Sequence, residues 1–256
     1  MTPCRLIIDP PEDAAWNMAV DEALLNDAAG RGVASLRFYQ WREPTLSLGY
    51  FQSYGARQLH EASLGLVAVR RLSGGGALLH DREVTYSLCL PAAHPQARDS
   101  VSLYGIVHNS LIRVLSGFGV TPALQGVGVS RAGTSAEPFL CFARRTAADV
   151  ILPSSDSTSS SKIVGSAQRR RRGAILQHGA VLLSASRFAP ELAGVSECTR
   201  ETISPEALIA PWQETIAAAL GLELRPLELE ADLRFRQNAQ RLQVDKYALR
   251  SWTERR

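Results

Sequence analysis

The sequence predicts an α+β fold: a mixed, largely antiparallel sheet flanked by helices. Amphipathic helical patterns and short β-like runs are interspersed without the regular strand–helix–strand order of a doubly wound parallel sheet. The serine-rich run 154–161 also lies between two strand-like runs, where a flexible hairpin loop is expected. These two observations favour antiparallel neighbours over parallel ones.

Each helix is predicted from its boundaries and its apolar face. The first begins at Pro10 and Pro11, which suit the first helical position, and ends at Gly30. A second is capped by Ser100 and stops near Gly117. A third opens at Ser204-Pro205 and closes at Gly221.

The strand-like runs share apolar or alternating patterns bounded by glycine, proline or serine. They are Leu36–Trp41, Thr45–Tyr50, Leu64–Leu72, Val84–Leu90, Ala148–Leu152, Lys162–Ala167 and Ala174–Leu183. The last thirty or so residues look helical and highly charged. We therefore expect one domain over residues 1–225, with a helical extension over 226–256 packed on it.

Composition narrows the class of protein. Apolar residues make up 45% of the 256 and charged residues 21%, as in an ordinary soluble enzyme. The net charge of +3 is too small to imply a polyanionic partner by itself. No apolar run is long enough to span a membrane, the N-terminal segment lacks a secretory apolar region, and the four cysteines are irregularly spaced. We expect a cytoplasmic protein with free thiols.

A glycine-rich segment follows the strand that ends in Arg70 and Arg71. Ser73-Gly74-Gly75-Gly76 removes side chains that would keep a ligand from the backbone, and it frees N–H groups to meet an anion or a carbonyl oxygen. The two arginines add positive charge. Taken alone, the segment could equally be a glycine-rich turn beside solvated arginines.

The second candidate segment is Lys162–Gln168, which continues into Arg169–Arg172. Only two of the 28 basic residues are lysines, so Lys162 marks a place where a compact charge suits better than a guanidinium. Gly165 would let a ligand lie against the strand. The four arginines are more simply an exposed turn, although an acidic protein partner could use them.

Cys141 is the candidate nucleophile. It needs positive neighbours to react as a thiolate, and Arg144 and Arg145 are close in sequence. It could instead be a buried core thiol, as Cys89 is expected to be. His80 and His178 could each orient a ligand, and neither has metal-ligand spacing with another residue. No metal site is predicted.

Taken together, these pieces resemble the biotin/lipoate protein ligase superfamily, closest to cysteine-dependent octanoyltransferases and lipoate–protein ligases. The matching motifs run in the family's order and are Asn17–Leu24, Arg37–Tyr39 with Pro44–Gly49, Arg70–Gly76 with His80-Asp81, Lys162–Gln168 and Gln177-His178-Gly179. The resemblance implies a tunnel for an acyl chain near the glycine segment and the lysine.

Within that superfamily, Cys141-Phe142 ahead of the Lys162 strand is similar to the octanoyltransferases. The resemblance implies octanoyl or lipoyl transfer from acyl carrier protein, through a thioester on Cys141, to a lysine of the glycine cleavage H protein or a lipoyl domain, with no cofactor and no membrane or nucleic-acid partner. Lys162 would polarise the acyl oxygen. The implied substrate-binding residues are Arg70, Arg71, Ser73, Gly74, Gly75, Gly76, His80, Gly165, Ser166 and His178.

Two alternatives stay open. Ser73–Gly76 is nearer to the ligase form of the motif, which implies lipoate–protein ligation with ATP and Mg. The Ser154–Ser161 loop also departs from the family pattern, because it replaces what is usually a short turn before the lysine, and this bears on where Lys162 is placed. A more distant alternative is a non-enzymatic module that binds nucleic acid or protein through Arg169–Arg172.

Overall fold

The computed structural model describes residues 1–126, 138–153, 159–199, 201–229 and 232–256. The strands in these ranges are β1 Thr2–Ile8, β2 Ala34–Tyr39, β3 Thr45–Leu48, β4 Val67–Arg70, β5 Leu78–His80, β6 Glu83–Leu90, β7 Ala123–Leu124, β8 Val150–Pro153, β9 Ser160–Arg171, β10 Ala174–Leu182 and β11 Leu222–Pro226. The α-helices there are α1 Ala14–Arg31, α2 Ser100–Gly117, α3 Val195–Cys198, α4 Pro205–Leu220, α5 Leu233–Leu242 and α6 Arg250–Thr253.

In the described part of the chain, eight strands form one sheet in the order β11-β1-β2-β6-β10-β9-β8-β7. β1 is parallel to both of its neighbours, and the pairings from β2 onward are antiparallel. A smaller sheet has the order β4-β3-β5. The prediction of a mixed, largely antiparallel sheet with flanking helices is confirmed.

The large sheet separates two apolar cores. Alternate residues of β2, β6 and β10 point to opposite faces. On one face Phe38, Leu88 and Ile175 pack with α2 and α4. On the other face Tyr39 and Leu176 pack with α1, α5 and the C-terminal segment. Helix α1 therefore lies over this second face of the large sheet, and it also contacts β4 of the small sheet.

Two predicted helix starts are wrong, and for the same reason. α1 begins at Ala14, where the Asp13 side chain accepts a hydrogen bond from the N–H of Trp16, so Pro10 and Pro11 precede the helix. α2 is capped by Asp99 and not by Ser100. An aspartate that can accept from the free N–H groups of the first turn outcompetes its neighbours as a cap. The third helix starts after Ser204 and ends at Gly221, as predicted.

Strand β9 is longer than predicted. Arg169, Arg170 and Arg171 are strand residues paired with β10, and the turn is confined to Arg172 and Gly173, both with positive φ. Of the serine-rich run, residues 154–158 lie outside the described residues, and Ser160 and Ser161 belong to β9. No helix within the described ranges is long and apolar enough to cross a membrane.

Candidate functional site

The candidate site is a cavity between the large sheet, the small sheet and helix α1. Its lining comes from all three: Met18 of α1; Tyr39, Thr85, Gly165, Ser166, Ala167, His178 and Gly179 of the large sheet; Ser47, Leu78 and His80 of the small sheet; and Arg71, Gly75 and Cys141 from the segments between strands. Seven of the predicted site residues thus meet at one cavity. They are Cys141, Arg71, Gly75, His80, Gly165, Ser166 and His178.

Cys141 begins a short 3₁₀ turn that is held against the glycine segment. Its N–H donates to the carbonyl oxygen of Ala77 at 2.6 Å, and the Ala77 N–H donates to Phe139 at 2.9 Å. Cys141 is partly exposed, whereas Cys4, Cys89 and Cys198 are buried. Burial raises the pKa of Cys4 to about 12 and raises that of Cys89 as well. Cys141 is therefore the accessible thiol among the four.

The glycines of this segment permit its close approach to Cys141. Gly75 has a φ of +92°, which disfavours any residue with a Cβ. A Cβ on Gly76 would lie 3.0 Å from both the Cys141 nitrogen and the Phe139 oxygen. These contacts are with backbone atoms, so a side chain at this position would have to push the Cys141 turn away from the cavity wall.

Arg71 is the buried cation beside Cys141. Its guanidinium donates to the carbonyl oxygens of Ser47 at 2.9 Å, Gly74 at 2.8 Å and Gly76 at 2.6 Å, so it holds the glycine segment in shape. Burial lowers the pKa of Arg71, and negative charge on Cys141 opposes that shift. Arg71 and Cys141 therefore line the same cavity wall, with the guanidinium as the buried positive charge there.

Arg70 is grouped with the ligand-binding residues by the resemblance, but it lies away from the cavity lining. Its fully buried guanidinium donates to the carbonyl oxygens of Gly49 and Gln52, at 2.8 and 2.7 Å, and to that of Thr253 at 2.8 Å. It therefore ties β4 to the preceding loop and to α6. Consecutive strand residues point to opposite sides, so Arg70 and Arg71 could not both face the cavity from an extended strand.

The Lys162 ammonium group contacts backbone carbonyl oxygens of the cysteine turn. Its Nζ lies 3.0 Å from an oxygen of Asp149 and donates to the carbonyl oxygens of Cys141 at 3.2 Å and Arg144 at 3.3 Å. A Cβ on Gly165 would lie 2.8 Å from the Lys162 Cε, so the lysine stem runs across Gly165. The ammonium group thus adjoins the cavity wall behind Cys141, with its hydrogen bonds directed to Asp149 and to that turn.

A hydrogen-bonded chain of serine, histidine and aspartate passes behind the glycine segment. Asp21 of α1 accepts from Nδ1 of His178 at 2.8 Å, and Nε2 of His178 lies 2.5 Å from the Ser73 hydroxyl. His178 thus bridges the Asp21 carboxylate and the Ser73 hydroxyl through its two ring nitrogens. The ring of His178 is thereby held against the cavity.

Asp21 remains ionised despite its burial. Burial raises its pKa, but the hydrogen bond and charge of His178, the charge of Arg37 and the hydroxyl of Ser87 together lower it. Arg37 also pairs with Asp9 at 2.6 Å, and Tyr39 donates to Asp21 at 3.1 Å. The sequence showed Asp21 and Arg37 as motif residues without assigning them a place in the site.

His80 belongs to a second chain of this kind on the small sheet. Its Nε2 lies 2.8 Å from the Ser47 hydroxyl, its Nδ1 bonds to Glu83, and its ring stacks on Trp41 at 3.9 Å between centroids. Thr85 donates to the same Glu83 oxygen at 2.6 Å. The sequence did not assign Ser47, Glu83 or Thr85 to the site. Ser47 and Thr85 alternate with apolar residues in their strands, and Glu83 ends the polar run Asp81-Arg82-Glu83 before a predicted strand.

Ser166 is held by groups on the opposite face of the sheet. His108 Nε2 and the Tyr86 hydroxyl each lie 2.7 Å from its Oγ, and His108 Nδ1 donates to the Ala148 carbonyl. Burial lowers the pKa of His108, which favours its neutral form. The cavity wall at Ser166 is therefore rigid and uncharged.

Ser73, Gly74 and Gly76 support the cavity without appearing among its lining residues. Within the described ranges, no group of three or more histidine, cysteine, aspartate or glutamate side chains is arranged to hold a metal ion.

Comparison with known proteins identifies the family to which a chain with this fold and cavity belongs. The family model described as the lipoyl protein ligase A/B catalytic domain matches residues 13–202, and the chain belongs to this family. The octanoyltransferase LipM of Kyrpidia tusciae is 34% identical over 282 aligned positions that cover 98% of each chain. That of Staphylococcus aureus is 30% identical, with 87% of this chain and 89% of the relative covered.

Solved structures give the same fold. A putative lipoate protein ligase from T. acidophilum with bound lipoic acid superposes with a TM-score of 0.75 at 20% identity, over 99% of this chain and 100% of that one. A lipoate-protein ligase A bound with ATP also gives 0.75 at 20% identity, with 99% of both chains covered. The family and the fold implied by the resemblance are confirmed, and the full-length relatives confirm an enzyme of the octanoyltransferase class.

Proposed function

We propose that the enzyme takes an octanoyl (or lipoyl) group from acyl carrier protein onto Cys141 and passes it to a lysine of a lipoyl carrier protein, the H protein or a lipoyl domain. The observation that carries this proposal is the position of Cys141, the accessible thiol of the four, on the cavity wall beside the buried Arg71. The relatives named octanoyltransferase support the choice of acyl group.

The first step is thioester exchange. The Cys141 thiolate attacks the donor's thioester carbonyl, its sulfur–carbon bond forms, and the donor's sulfur leaves as a thiolate that takes up a proton. Since one thioester replaces another, the step needs no nucleotide. Arg71 supports it by stabilising the thiolate.

The second step forms an amide. The amine of the carrier lysine attacks the Cys141 thioester, the carbon–sulfur bond breaks, and the amine loses a proton as the cysteine thiolate is restored. Negative charge develops on the acyl oxygen in both steps, and N–H groups of the glycine segment would stabilise it. Lys162 contributes by anchoring the carbonyl oxygens of the cysteine turn, a positioning role that differs from direct polarisation of the substrate.

We place this reaction in the cytoplasm and assign it no cofactor. The free cysteines suit a reducing compartment. ATP and Mg would be needed only for the alternative, lipoate–protein ligation, which the ligase-like form of Ser73–Gly76 favours.

Omission of ATP tests the proposal. The protein is incubated with octanoyl-acyl carrier protein alone, and its intact mass is taken before and after hydroxylamine. We expect one hydroxylamine-labile octanoyl adduct in the wild type and none in Cys141→Ala. The ligase alternative would instead give carrier modification that requires ATP and free lipoate and survives Cys141→Ala.

A further inference from the structure

Three arginines surround the ring of Tyr50 at the surface. Their guanidinium carbons lie 3.8 Å (Arg255), 5.0 Å (Arg169) and 5.9 Å (Arg256) from the ring centroid. Arg256 also lies 5.4 Å from the ring centre of Phe51. These five residues are called the arginine surface below.

The arginine surface brings three positively charged side chains together. Within the described ranges, none of its three arginines forms an ion pair with a carboxylate. A hydrogen bond from Arg255 and the charges of all three lower the pKa of Tyr50. Burial and the charges of Arg255 and Arg256 also lower the pKa of the neighbouring Arg70. Like charges grouped in this way favour an anionic partner.

The same surface has an apolar centre. The Phe51 side chain is 66% exposed and lies against the backbone of Gly74, where a Cβ would be 3.7 Å from its ring. Exposed aromatic side chains beside arginines are the residue types that protein–protein interfaces favour. This combination suits a protein partner better than a free ion.

Strand β9 connects the arginine surface to the cavity. Gly165 and Ala167 line the cavity, and Arg169 points to the same face of the strand, about 7 Å beyond Ala167. The second connection is the N–H of Tyr50, which donates to the carbonyl oxygen of Ser73 at 2.8 Å. A partner seated here would therefore lie at the edge of the acyl site.

We propose that the arginine surface docks the acidic acyl carrier protein that donates the acyl group. This inference rests on the proposed function. The donor fits for two chemical reasons: its surface is acidic, and the arm that bears its thioester contains a phosphodiester, which guanidinium groups bind through paired hydrogen bonds. The short path along β9 would let that arm enter the cavity while the carrier remains outside.

The test compares two donors. Octanoyl-acyl carrier protein has the acidic surface and the phosphate, whereas octanoyl N-acetylcysteamine thioester has neither. The rate of Cys141 loading is measured by quenched intact mass for Arg255→Gln/Arg256→Gln and, separately, for Arg169→Gln. The matched control is Arg113→Gln/Arg225→Gln, which removes two exposed arginines on α2 and β11.

We expect the double variant to load about tenfold more slowly from the carrier at low salt, with a weaker salt dependence, and at the wild-type rate from the small thioester. Arg169→Gln should also slow loading of Cys141 from the carrier, but by a smaller factor. Equal loss with both donors, wild-type loading from the carrier, or slowing of acceptor modification alone would each overturn the docking assignment. Failure of the wild type to load from either donor would instead reject the proposed function, and this inference with it.

Discussion

At the scale of single residues, the charge beside the thiol distinguishes Cys141 from a core cysteine. Sequence spacing directed attention to Arg144 and Arg145, which are near Cys141 in the chain, and to Lys162 on the following strand. The fold instead brings Arg71 to the cavity from seventy residues away, and Lys162 bonds to Asp149. A contact of this kind depends on how sheets pack, so local sequence could not predict it.

Arg71 is expected to control the reactivity of Cys141. Arg71→Gln should slow alkylation of Cys141 by iodoacetamide at neutral pH about tenfold, because the thiolate loses its buried cation. Arg71→Lys keeps a positive charge and should retain more of the rate. Labelling is followed by peptide mass spectrometry, with Arg113→Gln as the control. Equal alkylation of wild type and Arg71→Gln would contradict this role.

The Ser73 hydroxyl should stabilise the fold through His178. Ser73→Ala leaves the buried Nε2 of His178 without a hydrogen-bond partner and should lower the free energy of unfolding by about 1–3 kcal/mol, measured by urea denaturation. Ser35→Ala is the matched control. The Ser35 hydroxyl is buried and has no hydrogen-bond partner in the described part of the chain, so its loss should be nearly neutral. Equal losses of stability in the two variants would show that the hydrogen bonds from Ser73 through His178 to Asp21 do not stabilise the fold.

At the scale of elements, the helices and the long strands could be predicted because their periodicity and glycine ends are local. The errors arose where two local signals competed, as with Asp13 against Pro10 and Pro11 at the start of α1. The separation of β3, β4 and β5 into a small sheet could not be predicted, because it depends on pairing partners. Alternation along the predicted strand Leu64–Leu72 could have separated Arg70 from Arg71.

The glycine segment should tolerate no side chain at Gly76. Gly76→Ala forces a Cβ to within 3.0 Å of backbone atoms of the Cys141 turn, so loading of Cys141 should fall while the fold persists. Circular dichroism and the intact-mass loading assay measure the two effects. The control is Gly105→Ala in α2, where a Cβ meets nothing within 4 Å. It should load normally and be more stable by about 0.5–1 kcal/mol. Normal loading by Gly76→Ala would show that the turn can move freely.

At the scale of the whole molecule, the C-terminal segment closes over α1 and β9. Glu22 of α1 accepts from Lys246 at 2.6 Å and from the Tyr247 hydroxyl at 2.7 Å, and Arg171 of β9 pairs with it at 3.0 Å. The predicted boundary at residue 225 stays a prediction. Sequence alone showed a charged helical tail and could not show that one carboxylate joins three parts of the chain.

This cluster makes stability depend on pH in acid. Burial raises the pKa of Glu22, but its bonds to Lys246, Tyr247 and Arg171 lower it below the ordinary 4.5. A lowered folded-state pKa stabilises the protein above pH 4.5, and this contribution is lost as the pH falls through the folded-state pKa. Lys246→Met should therefore destabilise the protein at pH 7 and reduce the further loss of stability below about pH 4.5.

Thermal unfolding across pH 3 to 7 measures that effect. The control is Arg250→Gln. The Arg250 side chain is 87% exposed in its pair with Glu254, so this substitution should change the free energy of unfolding by less than about 0.5 kcal/mol. An unchanged acid profile in Lys246→Met would show that the pair with Lys246 contributes little to the folded state.

The most direct test of octanoyl transfer through Cys141 is a single-turnover chase. The enzyme is loaded on Cys141 with labelled octanoate, freed of donor, and mixed with a lipoyl domain without ATP, and both proteins are followed by intact mass. Transfer through a Cys141 thioester predicts that label leaves Cys141 and appears on one lysine of the domain at least as fast as steady-state turnover. Label that stays on Cys141, or a domain that is modified only when ATP and free lipoate are added, would contradict it.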